Sequence, residues 1–194
     1  PAAVSEPGQR PSIVGGDGGR ARSALSRKGS FNSLELFTQA NGGRGATGSG
    51  RFFTGVAGDG GEAIAEVVAK NEAGSVRANG IARGGDGHYG TVQGGDGGAA
   101  RVSLSGQSEG DGNAVLVGSP DGSLEGEPVG AIGGNGFVGS PAFGSPLPGE
   151  EIAGDGGDAI AYSKGLAAGN STVDVYARAT GGSSGGRLGF APPS

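Results

Sequence analysis

The chain has no cysteine, no methionine and no tryptophan, and His88 is the one histidine among its 194 residues. Without cysteine there is no disulfide staple, no thiolate metal ligand and no thiol nucleophile. A lone histidine lacks the partners that acid–base catalysis or paired-histidine metal binding requires, so His88 reads as solvated or packed. Aromatic residues make up 5% of the chain, too few for a sugar-stacking cleft, and no spacing among the 19 acidic residues singles out a catalytic pair. No run approaches the roughly 18 apolar residues that a membrane-spanning helix needs. Leu, Ile, Val and Phe supply 36 residues, near the level at which burial struggles to offset ordering entropy. The net charge of −5 disfavours nucleic acid as a partner. A first residue of Pro1 rather than Met fits removal of a leader, and a secretory signal is the expectation.

What the chain has instead is glycine, 48 residues of it, and four copies of Gly-Asp-Gly-Gly-x-Ala, at Gly16–Ala21, Gly58–Ala63, Gly95–Ala100 and Gly154–Ala159. A second glycine block follows each, beginning at Gly42, Gly84, Gly133 and Gly181. Internal periods of this size mark repeat architectures. The units run over 15–56, 57–93, 94–152 and 153–194, after an extended, proline-bearing arm at 1–14. After each first block the residues alternate with period two, with Ala21, Ala63, Ala100 and Ala159 in one register, which predicts half-buried strands. A polar turn and a second alternating segment follow, as in Val173, Val175 and Ala177. Two such segments joined by five to seven turn-forming residues predict a hairpin. Larger side chains then come at Phe52, Phe53, His88, Tyr89, Phe137 and Phe190, and these read as the main hydrophobic anchors. The third unit carries an insertion at 118–130 and a proline-rich stretch at 140–149, both expected as surface loops.

Charge is uneven. Residues 1–51 carry seven basic and three acidic side chains, and the remainder carries seven and sixteen. A basic end meeting the acidic end of another copy is one reading of that split, and solvation alone is the other. Ile13 and Val14 end the arm as an apolar pair suited either to adding to another subunit's sheet or to lying on its own domain, with Arg20 and Arg22 beside them as assembly residues.

Three G-x-G-x-x-G matches, Gly43–Gly48, Gly85–Gly90 and Gly134–Gly139, precede no helix pattern, so they lack the helix N-terminus that a dinucleotide site uses. Asp17, Asp59, Asp96 and Asp155, with Asp86 similarly placed, are the calcium candidates. Their copies stand 42, 37 and 59 residues apart rather than in tandem nonapeptides, which favours a turn-tying role. Single calcium sites where blocks meet are the remaining metal reading, and no other cofactor is expected. Asn170-Ser171-Thr172 has the pattern of a glycosylation acceptor.

Alternation of glycine blocks with Ala/Val strands, as in Ala57-Gly58-Asp59-Gly60-Gly61-Glu62-Ala63-Ile64-Ala65, resembles glycine-rich repeat proteins of microbial surfaces and extracellular matrices. The resemblance implies a secreted, non-enzymatic role. The fold expected is all-β, with four glycine-linked β-hairpin repeats in an antiparallel sandwich-like or roll-like domain that admits polyglycine-II segments. The function expected is a structural subunit of an extracellular filament, sheath or surface layer. It would homopolymerise head to tail through the N-terminal arm. The alternative is a monomeric surface adhesin or binding module that recognises glycans or ice with a flat repeat face.

Overall fold

The computed structural model describes residues 12–48, 54–119, 123–124, 127–139 and 152–186. The arm ends in β1 (Ser12–Val14), the first unit contains β2 (Ala21–Gly29), β3 (Ser33–Asn41) and β4 (Thr54–Val56), and the second contains β5 (Ala63–Asn71) and β6 (Ser75–Arg83). The third contains β7 (Ala100–Ser108), β8 (Ala114–Val117), β9 (Ser123–Leu124), β10 (Glu127–Pro128) and β11 (Gly130–Ile132). The fourth contains β12 (Ala159–Ala167), β13 (Thr172–Val175) and β14 (Ala179–Thr180).

The expected all-β antiparallel hairpin architecture is overturned by the pairing. The two main strands of a unit do not bond to each other. Instead β2, β5, β7 and β12 form one parallel sheet, with Ala21, Ala63, Ala100 and Ala159 in a single column. The return strands β3, β6, β8 and β13 form a second, also parallel, with β11 and β14 continuing it beyond the insertion. Each unit is thus one coil of a parallel solenoid. Parallel neighbours need a long crossover, and here the rest of the coil supplies it, with no helix among the described residues. The β9–β10 pair inside the insertion is the one antiparallel pairing among the described strands.

Both layers of a coil extend from strand into glycine, and the two halves are held differently. In the strand half the layers are separated by side chains. Ala63, Ala65, Val67 and Ala69 of β5 and Ala100, Val102 and Leu104 of β7 face Val76, Ala78 and Ala82 of β6 and Val115 and Val117 of β8, all buried. Gly80 lies against Leu104, and Gly106 lies against Val76, Val115 and Val117, so each fills the space that a bulky neighbour leaves. Burying each Leu or Val contributes roughly 1.5–3 kcal/mol. The anchors therefore sit in the Ala-rich strands. Of the larger side chains expected as anchors, Tyr89 is exposed and His88 and Phe137 are half-buried, while Phe52, Phe53 and Phe190 lie outside the described residues.

In the glycine half nothing separates the layers, and they hydrogen-bond directly. Gly43 N–H donates to the Gly19 carbonyl, Gly61 to Gly43, Gly85 to Gly61, Gly98 to Gly85, Gly134 to Gly98, Gly157 to Gly134 and Gly182 to Gly157, each at 2.8–2.9 Å. This zigzag alternates between layers as it climbs the solenoid. Bonds within a layer run beside it, as from Gly18 N–H to the Asp59 carbonyl and from Gly84 N–H to the Ile132 carbonyl. The glycine segments are thus bonded to neighbours in more than one direction. The motif glycines are needed for closeness, because their φ angles are not positive; only Gly112, Gly118, Gly130 and Gly169 take positive φ among the described glycines.

The insertion leaves the solenoid without breaking it. β6 pairs with β8 through Val76–Ala78 and with β11 through Ile81–Arg83. Gly118 and Gly130, at φ of 81° and 119°, turn the chain out and back. Asn79 fills the gap in the ladder between them. Its amide, oriented to satisfy both ends, donates to the Gly118 carbonyl at 2.8 Å.

Candidate functional site

The aspartates of the repeated block form a ladder along the solenoid. Asp17 Oδ1 accepts the Asp59 N–H at 3.1 Å, Asp59 Oδ1 accepts the Asp96 N–H at 2.8 Å, and Asp96 Oδ1 accepts the Asp155 N–H at 2.8 Å. Each carboxylate therefore ties the next coil rather than its own turn. A shorter ladder runs beside it, with Asp86 Oδ1 accepting Asn135 N–H and Asn135 Oδ1 accepting Ser183 N–H. One oxygen of each carboxylate in these bonds is engaged by backbone. Among the described residues no three His, Cys, Asp or Glu come together as a metal site. Asp96→Ala is expected to lower stability by about 1 kcal/mol, and Asp96→Asn, which keeps the acceptor, by less than half of that. Urea midpoints measure both, and equal losses would remove the ladder as the explanation.

The G-x-G-x-x-G segments are already bonded. The N–H groups of Gly43, Gly45, Gly85, Gly87, Gly134 and Gly136 all donate to backbone carbonyls, which leaves no phosphate cradle there. His88 is packed, its ring 6.2 Å from that of Phe137 and its Nδ1 accepting Tyr89 N–H. Asn170 is exposed in the last turn, its N–H donating to Asp111 Oδ1.

The four assembly residues fall within the molecule's own first coil. Ile13 and Val14 pair in parallel with Gly55 and Val56 of β4, so the end of the arm adds to its own chain; residues 1–11 lie outside the described residues. Arg22 bonds Glu66 at 2.8 Å, and that hydrogen bond, followed by the glutamate's charge, raises the guanidinium above its ordinary pKa. Arg20 stands 4.0 Å from Glu62, Lys28 3.2 Å from Glu72 and Arg44 3.6 Å from Asp86. The basic first unit thus pairs with acids of the second coil, inside one chain. These exposed pairs set register more than stability.

The end coils were not legible as a site in the sequence, yet they hold the feature that most needs a partner. The column through Leu25, Val67 and Leu104 faces inward, and Val67 and Leu104 are 1–2% exposed while Leu25 is 39% exposed. At the other end Val115 and Val117 are 1% and 0% exposed, whereas Val173 and Val175, one coil further on, are 40% and 43% exposed. β2 and β12 are the edges of their sheet. Repetition of the core positions in every unit was the available signal, since a stacked array always leaves two such ends. A cleft of about 440 Å³ also opens between Leu104 and Ser163 on one side and Ser119, Val129 and Tyr176 on the other. Its walls bring together no set of titratable groups.

No helix of the described residues is long and apolar enough to cross a membrane. Comparison with protein-family models, with curated proteins and with solved structures finds no match for this chain.

Proposed function

We propose that this protein is a structural segment that stacks end to end, coil on coil, into a rod belonging to a filament, sheath or surface layer. One observation carries the reading: positions buried at 0–2% in the inner coils are 39–43% exposed in the outer ones, beside strand edges that pair with no further strand among the described residues. Open edges of this kind are templates for further pairing. Addition at one end recreates the same surface, so the contact is heterologous and does not close. The contact assigned here is the coil ends, because residues 12–14 of the arm already bond to β4. A non-enzymatic role agrees with aspartate oxygens held on backbone N–H groups and a histidine held in ring packing. Placement outside the cell rests on the resemblance to glycine-rich surface proteins.

The expected result is growth from single molecules to rods as concentration rises, seen by light scattering and negative-stain microscopy. A monomer at every concentration would sink the reading. A second reading, a glycan-binding module, draws on the cluster of His88, Tyr89 and Phe137 with Arg44 5.8 Å over the Phe137 ring. The ice reading draws less support, because the outward column Arg22, Ile64, Arg101, Ile160 does not repeat one side chain from coil to coil.

A further inference from the structure

We infer that the face of the first coil bearing Gly16 and Gly19 seats the last coil of a second copy of this chain, in the register of the internal coils. The inference rests on the end-to-end reading above and specifies its partner and contact.

The glycines carry the argument. In each later coil the equivalents of Gly16 are packed against the coil before. A Cβ on Gly58 would lie 2.5 Å from the Gly16 carbonyl carbon, one on Gly95 2.8 Å from that of Gly58, and one on Gly154 2.5 Å from that of Gly95. The equivalents of Gly19 behave alike, with Gly61, Gly98 and Gly157 each 2.6–2.7 Å from the corresponding carbon one coil earlier. On Gly16 and Gly19 themselves a Cβ would meet none of the described residues within 4 Å. Neither has a positive φ. The described residues of the lone molecule therefore give these two positions no steric reason to be glycine. A coil stacked beneath them supplies it.

The opposite end offers the matching groups. The Asp155 carboxylate accepts no hydrogen bond from the described residues, although those of Asp17, Asp59 and Asp96 each accept the next coil's Asp N–H. The Asp17 N–H of a second copy completes that ladder. The Gly19 N–H of the copy reaches the Gly182 carbonyl, continuing the zigzag that ends there. One position further on, the column reads Arg20, Glu62, Ala99, Asp158, so the copy's Arg20 arrives beside Asp158 with opposite charge. The described first coil carries five basic and two acidic side chains and the fourth carries two basic and three acidic, so the ends attract at longer range too.

The test compares the wild-type chain with Gly16→Ala/Gly19→Ala. Expected is an unchanged melting temperature for the dilute monomer and a critical concentration for rods raised by at least about tenfold. A second variant, Arg20→Cys/Asp158→Cys, introduces the chain's only cysteines and should give a ladder of linked copies on a non-reducing gel. Wild-type rods with neither effect would overturn this contact and leave end-to-end stacking standing. No rods from the wild-type chain would overturn both. A lower monomer melting temperature for the double alanine variant would mean that the chain's own residues cover the face, which overturns the inference.

Discussion

Gly85→Ala should cost more than about 4 kcal/mol, a large part of the 5–15 kcal/mol that holds a domain of this size together. The added Cβ would overlap the Gly43 carbonyl oxygen and sit 2.6 Å from its carbon. Neither partner can turn aside, because both are backbone fixed from two sides. Gly85 N–H donates to Gly61, and the Gly43 carbonyl accepts from Gly61. Relief requires the layers to separate, which breaks the zigzag above and below and leaves backbone groups buried without partners. Gly19→Ala, one layer away in the same lattice, should change stability by less than about 0.5 kcal/mol, since nothing lies within reach of its Cβ. Gly112→Ala falls between, at about 1–2 kcal/mol, because open space surrounds it but its φ of 68° disfavours a side chain. Urea unfolding of the three variants measures the series. A loss below about 1 kcal/mol for Gly85→Ala would mean that the layers are not in contact.

That series also marks what the sequence could and could not reveal. The strands were legible because alternation is local: Ala63, Ala65, Val67 and Ala69 point one way whatever they pair with. Their partners were not, because a short turn such as Glu72–Gly74 ordinarily joins hydrogen-bonded neighbours. Here it joins strands that face each other across side chains, and each bonds instead to a strand 37 to 59 residues away. The clue was present in the shared register of Ala21, Ala63, Ala100 and Ala159. Antiparallel pairing within a unit does not require identical positions in different units, whereas in-register parallel stacking does. Stacking of the coils accounts for the charges as well. Arg20 and Glu62, or Arg44 and Asp86, look like a polar split along the chain, yet they are neighbours across one coil boundary. An aspartate between glycines suggests an acceptor that ties its own turn, whereas the donors lie 37 to 59 positions away and cannot be named until the coils are stacked.

Asn71 tests the same principle with a side chain instead of a backbone. It is 1% exposed at the end of β5, in a column that reads Gly29, Asn71, Ser108, Ala167. Its Oδ1 accepts the Phe31 N–H at 2.9 Å, and its Nδ2 donates to the Phe31 carbonyl at 3.0 Å and the Ser75 carbonyl at 3.1 Å. One amide thus clamps the turn of the first coil to the turn of the second. Asn71→Ala should lose about 2–4 kcal/mol, because the Phe31 groups keep their place while their partner is gone. Asn71→Asp separates hydrogen bonding from shape. It keeps the acceptor for Phe31 N–H but turns an oxygen toward two carbonyls, and only the protonated acid can donate there. Burial and those carbonyls raise its folded pKa above the unfolded value, so the native state binds the proton more tightly. Stability of this variant is then greatest in acid and falls as pH rises above about 4, while Asn71→Ala shows no such added slope. Urea midpoints of both variants between acidic and neutral pH decide it, and parallel curves would show that the Asn71 amide does not hold the two turns together.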